Sequence, residues 1–203
     1  NTLLKYTSFF SNYFLPKEIH FVNIQNEEDY EYLPMNLLVL KKQVYKDKEL
    51  KLRDKVEQYF SDSRIKKHFH VLEGSVVYEI LNLDNYYHFD LLIMGKKPSA
   101  EGMGVAADRL AKKITSHVLI IPHDATIKLG KILIPVDFSA HAQLAFNVAK
   151  KLYKKNTAKI RLFTHHIFKV PFEYSMEHTE IELQQIIENY ARKKMAQFTN
   201  NDK

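Results

Sequence analysis

Three short, uninterrupted runs of apolar residues in the middle of the chain constrain its fold more than any other feature. They are Asp90-Leu-Leu-Ile-Met-Gly95, His117-Val-Leu-Ile-Ile-Pro122 and Lys131-Ile-Leu-Ile-Pro-Val-Asp137. Each run is too short for a helix, and its apolar residues are continuous rather than alternating, which is typical of strands buried on both faces of a parallel sheet. We therefore expect these runs to lie side by side as buried strands.

Helices and further strands are predicted on both sides of these runs. Strands are expected at Glu18–Gln25, His68–Glu73 and Lys159–Phe168, and a capping box formed by Thr179 and Glu182 is expected to open the last helix. Helical spacing predicts inward faces formed by Leu3, Tyr6, Phe10 and Phe14; by Leu52, Val56, Tyr59 and Phe60; by Val76, Val77, Ile80 and Leu81; by Met103, Ala106, Ala107, Leu110, Ala111 and Ile114; by Leu144, Ala145, Val148, Ala149 and Leu152; and by Ile186, Ile187, Tyr190, Ala191 and Phe198.

Composition limits the class of protein. The 203 residues, of which 45% are apolar, can bury the core of one large domain or two small ones, and the absence of cysteine excludes disulfides and thiolate metal ligands. The net charge of +6 arises from 30 basic residues scattered among 24 acidic ones, which indicates a solvated surface rather than a nucleic-acid groove. No apolar run approaches the roughly 20 residues that cross a bilayer, and the amino end has no basic segment followed by an apolar stretch. We expect a cytoplasmic protein that binds neither nucleic acid nor membrane.

Three parts of the sequence resemble the universal stress protein family. The segment Lys131 to Ser139, followed by an alanine-rich helix, resembles the first strand and helix of that family. The segment Leu91 to Gly95, a helix and then Val118 to Pro122 resemble its fourth strand, helix and fifth strand, and Val71 to Gly74 resembles the strand and turn before them. The resemblance implies an α/β fold with an open, mostly parallel sheet of strand order 3-2-1-4-5 and helices on both faces.

The resemblance also implies a tandem arrangement. Residues 1–124 would form a first unit that lacks its own first strand, and residues 125–203 would supply strand 1, helix 1, strand 2 and helix 2 of a second unit. A missing central strand leaves buried backbone groups unpaired, each costing about 1–3 kcal/mol. Two hypotheses follow: the chain is a fragment, incomplete at both ends, or the strand Ile132 to Val136 inserts into the first unit. An intact mass near 23.9 kDa would exclude a longer chain.

A nucleotide site is the chief candidate that the resemblance suggests. Some universal stress proteins bind ATP or AMP through the pattern G-x2-G-x9-G-[ST], which begins where the fourth strand ends. Here Pro98 replaces the second glycine, the loop is shorter, and Val105 replaces the hydroxyl residue. Glycines and lysines beside a helix N-terminus still suit an anion, but we favour the alternative of a turn whose glycines merely tolerate positive φ. The candidate residues are Gly95, Lys96, Lys97, Gly102, Gly104 and Asp137, the last of which matches the acidic residue beside the adenosine in nucleotide-binding members.

Candidates for metal binding or catalysis are weaker. His68 and His70 are spaced i, i+2 and would project from one face of a strand, as a two-histidine metal site requires, but the sequence shows no third ligand. The serines lack the surroundings of a nucleophile elbow. We expect no metal, no catalytic residue and no enzymatic activity.

The resemblance implies a stress-response protein that acts as a non-enzymatic binding or signalling module. It implies a homodimer formed through the fifth-strand region, compatible with a further protein partner, and no required cofactor. The alternative function is adenine-nucleotide binding, with ATP or AMP as the ligand and little or no hydrolysis.

Overall fold

Helices and strands alternate along the chain. The structure is a computed structural model that describes residues 2–25, 38–60, 64–96, 104–127, 131–155, 161–165 and 179–200. The helices are α1 (Thr2–Phe14), α2 (Leu38–Glu57), α3 (Val76–Tyr87), α4 (Val105–Lys113), α5 (Ala140–Lys155) and α6 (Glu180–Asn200). The strands are β1 (Glu18–Gln25), β2 (Lys66–Glu73), β3 (Leu91–Lys96), β4 (His117–Pro122), β5 (Lys131–Pro135) and β6 (Arg161–His165). The fold is α/β, as predicted.

The described strands pair in parallel. They form three two-stranded sheets, in which β1 pairs with β2, β3 with β4, and β5 with β6. In the numbering of the family's sheet, β1 and β2 would be strands 2 and 3, β3 and β4 would be strands 4 and 5, and β5 and β6 would be strands 1 and 2 of the second unit. The members of each pair are therefore neighbours in the family's order 3-2-1-4-5. The two apolar runs that end at Gly95 and Pro122 therefore lie side by side, whereas the run that ends at Asp137 pairs with β6. The order that would join the three pairs stays a prediction.

The chain divides into two compact units, residues Asn1–Ile127 and Lys128–Lys203. The first contains β1 to β4 and the second contains β5 and β6. The tandem relation of the units and the two hypotheses about the missing strands stay predictions. No helix among the described residues combines the length and the apolar character that a membrane crossing needs.

The core of the first unit forms on one face of β1 and β2. Phe21 of β1 packs with Val56 of α2 and with Phe60, and partly buried apolar side chains surround these three. Because strand side chains alternate, Ile19 and Phe21 share this face with Phe69 of β2. The even-numbered side chains of β1 and β2 consequently lie on the opposite face.

Helix α4 follows the predicted helical spacing. Ala107 and Leu110 are buried, while Lys112 and Lys113 occupy the last turn, where positive charge complements the helix dipole. Ala111 is exposed, contrary to its predicted inward position. Leu3 and Phe14 of α1 are also exposed although Phe10 is buried, so the buried face of α1 is narrower than predicted.

The second unit has its own core. Ile134, Val136, Ala142, Phe146, Ala149 and Phe198 form it. The predicted inward face of α5 was wrong for Leu144 and Ala145, which are exposed, because α5 buries the stripe of Ala142, Phe146 and Ala149 instead. Ile186 and Tyr190 of α6 are exposed as well, and Phe198 carries the contact with Phe146.

The capping box of α6 is confirmed, since the Thr179 backbone N–H donates to Glu182 and the Glu182 backbone N–H donates to the Thr179 hydroxyl.

Candidate functional site

The predicted nucleotide residues of the first unit lie where β3 ends and α4 begins. Gly95 and Lys96 are the last two residues of β3, and Gly104 is the N-cap of α4. Gly104 has φ 85°, a backbone conformation that residues with a side chain rarely adopt. Its carbonyl accepts a hydrogen bond from the backbone N–H of Asp108. Lys97 and Gly102 lie outside the described residues. The positive φ of Gly104 thus explains why this position is a glycine.

Gly95 differs from Gly104 in this respect. No atom of the described residues lies within 4 Å of a Cβ atom built on Gly95, and the residue is not in the left-handed region. These residues therefore do not require glycine here. Gly95 lies near the carboxyl end of β3, the edge at which open α/β sheets bind ligands.

Asp137 lies in the second unit, directly after β5. It is exposed, and its Oδ1 accepts a hydrogen bond from the backbone N–H of Ser139 at 2.9 Å. The Ser139 hydroxyl in turn accepts a hydrogen bond from the backbone N–H of Ala142 in the first turn of α5. Asp137 and Ser139 thus help to shape the entry into α5. The nucleotide role of Asp137 stays a prediction.

A cluster of three histidines and one glutamate lies on the first unit's other strand pair. We call Glu18, His20, His68 and His70 the histidine cluster. In the parallel register of β1 and β2, His20 is directly opposite His68, and Val22 is opposite His70. Glu18 and His20 are two residues apart on β1, as His68 and His70 are on β2, so all four side chains share one face. That face is opposite the one that carries Phe21 and Phe69.

The distances within the histidine cluster are short. His20 Nδ1 and His70 Nε2 are 3.0 Å apart, and one of these nitrogens donates a hydrogen bond to the other. His68 Nε2 is 3.3 Å from Glu18 Oε2, and His20 Nε2 is 3.9 Å from Glu18 Oε1. The rings of His20 and His68 stack with their centroids 4.3 Å apart. One carboxylate therefore faces the Nε2 atoms of two stacked imidazoles.

The side chain of His20 is almost fully enclosed. Its side chain is 4% exposed, against 27% for His68 and 49% for Glu18, and its Nε2 atom has no hydrogen-bond partner among the described residues. Tyr87 and Phe89 pack against its ring, with centroids 4.3 Å and 5.0 Å away. A buried polar atom without a partner is rare, because it loses its hydrogen bond to water on folding.

Burial also sets the protonation of His20 and His70. Desolvation, followed by the charges of His68 and His70, lowers the pKa of His20 to about 4, although Glu18 opposes the shift. Desolvation and His68 also lower the pKa of His70, against the opposing effect of Glu49. Both imidazoles are therefore neutral near pH 7, the form in which histidine binds metal ions.

Sequence reasoning found half of the histidine cluster. The i, i+2 spacing singled out His68 and His70, but the site was set aside because no third ligand was evident. The same spacing occurs in Glu18 and His20, and this repeated signal was missed. The parallel register of two strands separated by about fifty residues brings the pairs together, and no local pattern encodes that register.

The parallel strand pairs, the intervening helices and the location of the candidate residues define a protein of the open α/β class. No protein-family model and no curated protein matches the chain. Among solved structures, it is similar to a universal stress protein from Archaeoglobus fulgidus DSM 4304, with a TM-score of 0.63 and 17% sequence identity over 94% of this chain and 67% of that chain. It is also similar to the hypothetical protein MJ0577, with a TM-score of 0.51 and 18% identity over 62% of this chain and 88% of that chain.

These similarities identify the fold. The chain has the fold of universal stress proteins, as the resemblance in its sequence implied.

Proposed function

We propose that this chain is a stress-response protein of the universal stress type that acts by binding a ligand or partner rather than by catalysis. The observation that supports this most is the fold similarity to a universal stress protein across 94% of the chain, which includes both units. The agreement between that fold and the sequence resemblance at residues 91–95, 118–122 and 131–139 adds to it.

Protein abundance in the source organism tests the physiological role. Quantitative mass spectrometry should show that the protein accumulates relative to total protein under at least one of starvation, heat and oxidative stress. Equal abundance in all of these conditions and in unstressed growth would refute a stress-response role.

Adenine-nucleotide binding is the second candidate, supported by the space at the carboxyl end of β3. No described residue occupies the space beside the Cβ position of Gly95, and Gly104 caps the N-terminus of α4, which carries a partial positive charge. Lys96 adds a cation at the same strand end. A phosphate group would be attracted to this edge.

A thermal-shift measurement with magnesium and ATP or AMP tests this candidate. A ligand that binds only the folded state increases the free energy of unfolding by RT ln(1 + [L]/Kd), and the melting temperature rises as a result. Gly95→Val should abolish the increase because the new side chain fills the open space without a clash at Cβ, whereas Ala111→Val on the exposed side of α4 should retain it. No increase for the unaltered chain at millimolar nucleotide rejects the candidate.

We also propose a homodimer formed through β4, the strand that corresponds to the fifth strand of the fold. Within the described residues, β4 pairs with β3 alone, and an unpaired strand edge readily accepts another strand. Light scattering from the purified chain should give twice the 23.9 kDa mass. A mass of 23.9 kDa at high micromolar concentration would contradict the dimer.

A further inference from the structure

The buried Nε2 atom of His20 needs a physical explanation. If His20 Nδ1 donates to His70, Nε2 presents a lone pair toward the Glu18 carboxylate, and two electron-rich groups face each other. If His70 donates instead, the Nε2 proton of His20 points toward an oxygen 3.9 Å away, which is too far for a hydrogen bond. Neither tautomer satisfies this atom, whereas a cation between the two groups would.

We propose that Glu18, His20 and His68 bind one Zn²⁺ ion. One oxygen or nitrogen atom from each of these three side chains lies within 4.8 Å of the other two. Tetrahedral zinc with bonds of about 2.0–2.2 Å places its ligand atoms roughly 3.3–3.5 Å apart. The 3.3 Å and 3.9 Å separations from the Glu18 oxygens to the two imidazoles are close to that geometry.

The ligand set favours zinc over other common cations. Two imidazoles and one carboxylate suit a borderline metal ion, whereas Ca²⁺ and Mg²⁺ prefer sites made of oxygen ligands alone. Three protein ligands leave the fourth tetrahedral position for water or for a small ligand. Because two ligands come from β1 and one from β2, the ion would also join the two strands and stabilise the first unit.

His70 has a different role in this site, that of a positioning residue. Its Nε2 atom is 3.0 Å from His20 Nδ1, and by accepting a hydrogen bond from the Nδ1–H group it fixes the tautomer in which His20 Nε2 can bind metal. Tyr87 and Phe89 pack on His20 and keep water from its ring. The site thus has metal ligands, a tautomer-fixing partner and an apolar wall.

Zinc titration of the purified full chain tests the proposal. After chelator treatment and dialysis, ZnCl₂ is added in competition with a chromophoric zinc indicator, and the expected result is one ion per chain. Glu18→Gln and His68→Gln should each weaken zinc binding by roughly tenfold or more, since each removes a ligand. His117→Gln, an exposed histidine outside the cluster, is the matched control and should leave affinity unchanged.

Circular dichroism of the metal-free variants tests whether they are folded. Both ligand substitutions are at partly exposed side chains, so they should leave the fold intact. At the same zinc concentration, the melting temperature of the unaltered chain should rise by more than that of His68→Gln. Absence of saturable binding at micromolar zinc overturns the proposal, as does equal affinity in Glu18→Gln, His68→Gln and the unaltered chain.

The positioning role of His70 has its own readout. His70→Leu should weaken zinc binding by about 10–100-fold. In His70→Gln the side-chain oxygen can accept a hydrogen bond from the Nδ1–H group of His20, so this variant should recover much of the lost affinity. The visible spectrum of bound Co²⁺ should retain the same shape in His70→Gln, because the three ligands are unchanged. A Leu variant that binds as tightly as the Gln variant contradicts this role.

Discussion

Glu73, the last residue of β2, connects that strand to α2. Its Oε2 atom accepts a hydrogen bond from the Tyr45 hydroxyl at 2.9 Å and forms an ion pair with Lys41. These two donors stabilise the charged carboxylate, so they hold its pKa below the ordinary value of 4.5. The two side chains are partly exposed, and the contribution of their ion pair to stability is modest.

Acid should therefore weaken the first unit through Glu73. Because the folded-state pKa is lowered, the stabilisation is present above pH 4.5 and is lost as the pH falls through the folded-state pKa. The melting temperature of the unaltered chain should exceed that of Glu73→Gln at pH 7, and the difference should shrink toward pH 3. Asp54→Asn, at an exposed carboxylate of α2, is the control. A difference that grows on acidification would contradict the assignment.

At the scale of single elements, α4 provides a direct contrast between a buried and an exposed side chain. Leu110 is 0% exposed and Val105 is 70% exposed on the same helix. Removal of buried methyl groups costs their transfer free energy and the energy of the cavity that remains.

Leu110→Ala should consequently lower the free energy of unfolding by about 2–5 kcal/mol. Val105→Ala should change it by less than about 0.5 kcal/mol. Urea denaturation followed by circular dichroism measures both. Similar effects from the two substitutions would show that α4 does not pack as described.

Element positions were more predictable from the sequence than helix faces were. The strand Glu18–Gln25 was predicted with the bounds that the structure has, because Pro16 ends the helix that precedes it. The predicted face of α5 was wrong for Leu144 and Ala145 and right for Ala149, because apolar residues form two stripes on the helix, one through Leu144 and one through Phe146. Contact of Phe146 with Phe198, about fifty residues away, selects the second stripe. Such a contact is tertiary information that helical spacing does not contain.

At the scale of the whole molecule, the described residues form a hydrophobic core within each unit. Phe198 is buried against Phe146 and Phe138 in the second unit, while Phe21, Val56 and Phe60 form a core in the first. Loss of a large aromatic side chain from one core should weaken the unit that contains it.

Phe198→Ala should therefore reduce amide hydrogen-exchange protection in α5 and α6 and leave protection in β1 and β2 unchanged. Hydrogen exchange followed by mass spectrometry gives both values in one experiment. The exposed Ile186→Ala on the same helix is the control. An equal loss of protection in both units would mean that they share one core.

Some residues of the candidate sites could be predicted from the sequence, whereas others were found only from the folded structure. Gly95, Lys96 and Gly104 were candidates because the sequence resembles the family's nucleotide-binding pattern at the end of a strand and the start of a helix. Glu18 and His20 joined His68 and His70 only through the pairing of β1 with β2. The parallel register of these two strands is thus the central claim, since the first unit's core and the zinc proposal both depend on it.

A crystal structure of the chain tests that register most directly. The expected result is a parallel pair in which Glu18 is opposite Lys66, His20 is opposite His68, and both imidazoles share a face with the Glu18 carboxylate. An antiparallel pair, or a register shifted by one residue that places His20 and His68 on opposite faces, would contradict the account.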